Sequence, residues 1–278
     1  MVTAPQAEAE RPPETPGEPA LIFEDVSIGF EGTPVLSHVS FKVTGGETRV
    51  LLGPAGGGKS VLLKLANGLL RPDSGRITVF GEALNDMREK QIFELRRRIG
   101  MVFQEGALFD SLTVRDNVAY QLVEEHIPEE QATERVIEAL RFVELEQTLD
   151  KFPSELSGGM RRRVAIARAI VSRPDLILYD SPTGGLDPIT STLIIELVMK
   201  QRDVYHTSSV VVTHRLQDAF VLATNTFDRA QNQMVASPKG ELNSRTSFLV
   251  LNDGQLIFDG STEDLIHSSD PFLKQYLS

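Results

Sequence analysis

The sequence predicts an α/β protein organised around a parallel sheet, and three observations carry that prediction. Thr48 to Leu52 is a short apolar strand that runs straight into a glycine-rich loop, and Val61 to Asn67 follows as a helix. Leu176 to Asp180 and Ser209 to His214 are leucine-rich or β-branched strands ending in a carboxylate and an imidazole. Ahead of them, Leu21 to Phe23, Val35 to Leu36 and Val39 to Val43 read as short strands with a turn at Gly45 and Gly46, which predicts an antiparallel β portion on the N-terminal side.

Composition sets the outer limits. A chain of 278 residues with 41% apolar residues suits one large domain or a domain with an inserted subdomain. Its net charge of -11 argues against a surface built to neutralise nucleic-acid phosphates, so no nucleic-acid partner is expected. The absence of cysteine removes disulfides, zinc-thiolate sites and thiol catalysis. No apolar run approaches the roughly 20 residues that span a bilayer, and the N-terminus has no basic segment followed by an apolar core. The expectation is a cytoplasmic chain whose membrane role comes through a partner. Residues 1–20 are Pro- and Glu-rich with almost no large apolar side chain, and are expected to form a disordered tail ahead of a domain over 21–278.

The loop after the first buried strand reads Gly53, Pro54, Ala55, Gly56, Gly57, Gly58, Lys59, Ser60 and Val61. Its glycines let backbone N–H groups turn inward around phosphate oxygens, and the helix that follows adds a favourable dipole. Lys59 can then reach the terminal phosphates and Ser60 can offer a hydroxyl to magnesium. In open parallel sheets, ligands sit beyond the carboxyl ends of the strands, so Asp180 and His214 should converge on the same phosphates. A lone Asp in such a place is more often a helix cap and a lone His a packing residue. Following these strands in a chain with a phosphate loop, both read as functional.

With those residues in view, the chain from about Leu21 onward resembles the ATPase subunits of ABC transporters. Leu156 to Met160 is similar to the ABC signature, Gln104 to the Q-loop glutamine, Gly184 to Asp187 to the D-loop, His214 to the switch histidine and Phe30 to the aromatic residue that stacks on adenine. The resemblance implies a P-loop NTPase core of ABC type, α/β, with its antiparallel β portion and a helical subdomain inserted at about 105–164. It also implies ATP and Mg²⁺ as cofactors, with the metal near Ser60, Gln104 and Asp180. The expected assembly is a head-to-tail homodimer. Each ATP would lie between the phosphate loop of one copy and Ser157, Gly158 and Gly159 of the other, with Asp187 close by. Met160 departs from the glutamine usual at the end of the signature.

The signature opens a helix, Arg161 to Ile170, whose N-terminal amides would attract phosphate. Arg161, Arg162 and Arg163 oppose the macrodipole there, so compensating negative charge is expected near them, from nucleotide, acidic residues or both. A solvated basic face stays open as the other reading for Arg161 and Arg162.

Within the family, Glu105 to Val114 and the following Arg115 to Tyr120 resemble the ATPases of Mla/Mce-type lipid transport systems, as does the ending Asp270 to Ser278. This resemblance implies a transmembrane permease as partner, with a lipid-binding Mce-type protein and accessory subunits beside it, and a peripheral place on the cytoplasmic face of the inner membrane. The alternatives are an importer of small polar nutrients and a nucleotide-dependent binding or regulatory module with little hydrolysis. A C-terminal tail is expected at about 261–278.

Two stretches depart from the family. Polar residues from about 225 to 246 replace a much shorter turn, and a surface loop is the expectation. Ser181 stands where the family usually carries a glutamate that polarises the attacking water. Loss of a general base typically costs about 10²–10⁴ in rate. Positioning and charge stabilisation by Lys59, Gln104, His214, magnesium and the signature of the second copy should survive, so a slow ATPase is expected.

Overall fold

The computed structural model describes residues 18–237 and 242–277. Most of the tail expected at 1–20 lies outside them, but Pro19 and Ala20 already belong to β1 (Pro19–Phe30), which is longer than the short strand expected at Leu21. It pairs antiparallel with β2 (Thr33–Thr44), with several register shifts along the ribbon. After β3 (Thr48–Leu52) and α1 (Lys59–Ala66), β4 (Ser74–Val79) pairs with the other side of β1, and β5 (Glu82–Ala83) closes that sheet. Phe23 and Phe41 stack across the ribbon at 4.7 Å on its buried face.

The second sheet holds the site. After α2 (Glu89–Arg96) and β6 (Ile99–Val102), the chain leaves for α3 (Val114–Glu124), α4 (Glu129–Phe142) and α5 (Gly158–Ile170) before returning as β7 (Leu176–Asp180). Then α6 (Pro188–Val204) leads to β8 (Ser208–Val212) and α7 (Leu216–Thr224). The chain passes through β9 (Asn225–Asp228) and β10 (Gln233–Ala236), re-enters the sheet as β11 (Thr246–Asn252) and β12 (Gln255–Ser261), and ends in α8 (Thr262–Ile266) and α9 (Pro271–Leu277). The strand order is β12-β11-β3-β8-β7-β6, parallel except for β12.

Every residue of β3, β7 and β8 is buried, as expected of strands covered on both faces. Alternation sends Val50, Leu52, Ile177, Tyr179 and Val211 into a core shared with α3 to α7. Leu51, Leu178, Val210 and Val212 face the other way, into a core under α1, α2 and the antiparallel sheet. The fold is therefore the mixed α/β architecture the sequence predicts. No helix among the described residues is long and apolar enough to cross a membrane.

The expected surface loop at 225–246 is corrected. β9 and β10 form an antiparallel hairpin, with Phe227 buried and Met234 packed on the core beneath it. Two carboxylates of α6 side hold it in place: Phe227 N–H donates to Asp203 at 2.8 Å and Met234 N–H to Glu196 at 2.8 Å. A polar composition hid two apolar anchors that are enough to dock a short ribbon. Residues 238–241 lie outside the described chain.

Candidate functional site

The carboxyl ends of four neighbouring parallel strands bring the expected residues together. β3 ends at the glycine loop, β6 leads to Gln104, β7 ends on Asp180 and β8 leads through Thr213 to His214. Backbone bonds level these ends: Ser181 N–H donates to the Val212 carbonyl at 3.0 Å and Thr213 N–H to the Leu51 carbonyl at 3.2 Å. β8 stops two residues before His214, which is exposed, as is Gln104. Phe30 ends β1 and is 44% exposed.

The loop itself is shaped by glycine. Gly58, at φ 91°, is the N-cap of α1, and a Cβ there would lie 2.7 Å from the Leu36 side chain. Gly56 also has positive φ, 77°, and opens on free space, whereas Gly57 N–H folds back onto the Pro54 carbonyl at 3.3 Å. Ala55 is exposed at the tip, and Ser60 and Val61 begin α1 behind Lys59. The Lys59 ammonium donates to the carbonyls of Gly53 at 2.9 Å and Pro54 at 2.6 Å. Burial lowers its pKa from the ordinary lysine value, and the negative charge of Asp180 works against that shift. The lysine and Asp180 are thus electrostatic neighbours. A buried carboxylate, a serine hydroxyl and an amide oxygen are hard oxygen donors, few in number, and suit a small divalent ion that takes its remaining ligands from phosphate and water.

Ser181 is 8% exposed and sits at a left-handed φ of 47°. Its carbonyl accepts from Gly184 N–H at 3.0 Å, which tightens the turn into the Gly184 to Asp187 segment. A Cβ on Gly184 would lie 3.5 Å from the Ser181 Cβ and 3.9 Å from Gln104 Cγ, so Ser181 and Gln104 border one small space. Asp187 caps α6, accepting from Thr190 N–H at 3.0 Å and from the Thr190 hydroxyl at 2.6 Å. The hydroxyl bond first, and then the backbone bonds, hold its carboxyl below the ordinary aspartate pKa.

The signature residues lie elsewhere on the surface. Ser157 is the N-cap of α5, accepting from Met160 N–H at 3.2 Å, and stands exposed. The atoms nearest a Cβ on Gly158 or Gly159 belong to Leu186, Arg161 and Thr190, none of them to the phosphate loop.

Of the arginines that follow, Arg162 departs from the solvated basic face, whereas Arg161 is exposed as that reading expects. Arg162 is buried and donates to the carbonyls of Phe103 and Gly184, each at 3.1 Å. Arg161 donates to the Leu156 carbonyl at 2.9 Å and Arg163 to the Val143 carbonyl at 3.0 Å. Backbone oxygen therefore supplies much of the balance, a partner that leaves no trace in sequence. Burial lowers the Arg162 pKa, with Glu105 acting in the opposite sense.

Three contacts escaped sequence reasoning. Arg215, next to His214, donates to Ser191 Oγ at 2.6 Å and the Leu186 carbonyl at 3.3 Å, tying the strand end to the Asp187 turn. Asn117, fully buried, accepts from Phe109 N–H at 2.8 Å and donates to the carbonyls of Phe109, Leu112 and Thr113, so the segment after Gln104 is pinned. Tyr276, from α9, accepts a hydrogen bond from Gly53 N–H at 3.1 Å. A capping pattern, Thr113 followed by Asp116, was available to mark the start of α3 and the loop before it. Nothing local marked the other two.

Fold and site together define an α/β protein with a phosphate loop at the carboxyl edge of a parallel sheet. The family model described as "ABC transporter" matches residues 36–184, and the chain belongs to that family of ATPases. It is 33% identical over 244 residues, 87% of this chain and 84% of the relative, to the intermembrane phospholipid transport system ATP-binding protein MlaF of Haemophilus influenzae. It is 39% identical over 208 residues to the methionine import ATP-binding protein MetN 2 of Paraburkholderia xenovorans, covering 73% of this chain and 54% of that one. Among solved structures it is similar to the dimeric post-hydrolysis state of the ATP-binding cassette MJ0796 bound to ADP and phosphate, with a TM-score of 0.72 and 28% identity, covering 87% of this chain and 98% of that one.

Proposed function

We propose that this chain is the ATP-binding subunit of a lipid-moving ABC transporter, working as a head-to-tail homodimer. Residues Gly53 to Val61 bind the phosphates of ATP, Phe30 stacks on its base, and Ser157, Gly158, Gly159 and Asp187 act on the nucleotide held by the second copy. Ser60, Gln104 and Asp180 hold magnesium, which supplies charge neutralisation at the phosphates. Gln104 and His214 position the reacting end, and Ser181 leaves hydrolysis slow for want of a strong base. Residues 105–164 form the helical subdomain that carries the signature, in a domain that begins with β1 at Pro19.

The observation that carries the transporter reading is the pinned segment beside Gln104. Phe109 is 43% exposed although Asn117 fixes its backbone, and its ring lies 4.8 Å from the exposed ring of Tyr120. Arg168 reinforces the same segment through the carbonyls of Gly106 and Ala107, at 2.9 and 2.8 Å. A rigid apolar surface adjoining a catalytic glutamine suits a permease whose motion must reach the nucleotide. The phospholipid-transport relative and the likeness of Gly106 to Val114 favour lipid as cargo, with an Mce-type protein and accessory subunits as further partners. The subunit would sit on the cytoplasmic face of the inner membrane through that permease. The methionine-import relative supports a nutrient importer as second reading, and Ser181 supports a nucleotide-dependent binding module as a third.

Phe109→Asp tests the proposal. It should release the chain from membranes while leaving MgATP affinity intact. Retained membrane association, or co-purification of the parent only with a nutrient-importer permease, would reject the lipid assignment.

A further inference from the structure

Gly53 is the hinge between β3 and the phosphate loop, and both of its backbone polar groups are held by side chains. Its carbonyl accepts from Lys59, and its N–H donates to the Tyr276 hydroxyl at 3.1 Å, across 223 residues of sequence. The hinge has no slack on its third side. Its φ is 146°, and a Cβ there would stand 2.1 Å from the Leu251 carbonyl of β11. Only glycine fits, and only a donor-facing acceptor can cap its amide.

The phenol is delivered by an anchored element. Leu273, one turn earlier in α9, is 1% exposed and belongs to the core shared with α8 through Leu265. Asp270 caps the helix, accepting from Leu273 N–H at 3.0 Å, and the Phe272 ring stacks on Tyr276 at 5.8 Å with 11° between planes. Burial raises the phenol pKa, so the group is a neutral hydroxyl across the physiological range.

We propose that Tyr276 is a positioning residue for the phosphate loop, its hydroxyl fixing the first amide of the loop and so making the C-terminal helix part of the nucleotide site. The inference rests on the ATP-binding reading of that loop. Without the hydroxyl the Gly53 amide has no side-chain partner, the start of the loop gains freedom, and ordering it must accompany nucleotide binding. A hydrogen bond of this kind corresponds to an affinity change of about three- to tenfold.

The test is Tyr276→Phe in the full chain, which keeps the ring and its stacking on Phe272. Amide exchange at Gly53, followed without nucleotide, should accelerate by about the same factor or more. The dissociation constant for MgATP should rise about three- to tenfold, and KM should rise with little change in kcat. The melting temperature should stay close to that of the parent. Unchanged exchange at Gly53, or unchanged MgATP affinity in a variant whose parent binds MgATP, would overturn the proposal. Loss of affinity accompanied by a large fall in melting temperature would assign Tyr276 to packing and overturn it equally. A parent chain that binds no MgATP would instead bring down the ATP-binding reading itself, and this inference with it.

Discussion

Arg162 Nη2 donates to the carbonyl oxygen of Gly184 at 3.1 Å, joining the second turn of α5 to the bend that follows Ser181. The other arm of the same guanidinium reaches the Phe103 carbonyl, immediately before Gln104. One buried cation thus holds together the signature helix, the glutamine segment and the turn leading to Asp187. Arg162→Met keeps much of the apolar stem but strips both carbonyls of their partner, so it should destabilise the fold by about 2–4 kcal/mol. Urea unfolding measures this, and a loss within error of zero would mean that solvent reaches those carbonyls.

The opposite sign is expected at Tyr179. Its hydroxyl is buried with no hydrogen-bond partner among the described residues, and burial raises its pKa well above the ordinary tyrosine value. Desolvating an unpaired hydroxyl costs about 1–3 kcal/mol, so Tyr179→Phe should be neutral or more stable than the parent by up to about that amount. Thermal melting decides. A clear loss of stability would show that the hydroxyl has a partner after all.

Local spacing made the strands β3, β7 and β8 and the glycine loop legible, because each is a short run whose pattern and chemistry lie within a few residues. What stayed hidden depends on distance or on backbone. Tyr276 meets Gly53 only because α9 folds back onto the residue that follows β3, and no pattern near Tyr276 announces that. The burial of Arg162 stayed hidden because its acceptors are carbonyls, which every residue carries. The hairpin at β9 and β10 was masked because Phe227 and Met234 are too few to register as a strand pattern, although they are enough to dock it.

The position of Ser157 leads to a prediction about assembly. It is exposed at the start of α5 and its neighbouring glycines face Leu186 and Thr190, so a bulky cation there meets nothing in its own phosphate loop. Ser157→Arg should leave MgATP binding to the single chain close to that of the parent and abolish the ATP-dependent dimer. Light scattering with and without MgATP reads the outcome. An undiminished dimer would remove the head-to-tail arrangement from the proposal.

Ser181 separates a motor from a switch. Its Cβ borders the same space as Gln104 Cγ, and serine already occupies the left-handed backbone that glutamate would have to adopt. Ser181→Glu therefore extends a carboxylate towards Gln104 from a backbone that need not change. If the rest of the site assembles around ATP, turnover should rise by up to about 10²–10⁴ over the parent in a steady-state phosphate-release assay. The parent should correspondingly hold ATP in a long-lived dimer, visible as slow nucleotide release. Fast parent turnover that Ser181→Glu leaves unchanged would mean that another group activates the water. Asp187 and His214 would then be the next positions to substitute, because the turn after Ser181 and the end of β8 carry them to the same edge of the sheet. If parent and variant both bind ATP and neither hydrolyses it with the permease present, the motor fails and the binding module stands, since the one change that restores the base has not restored the reaction.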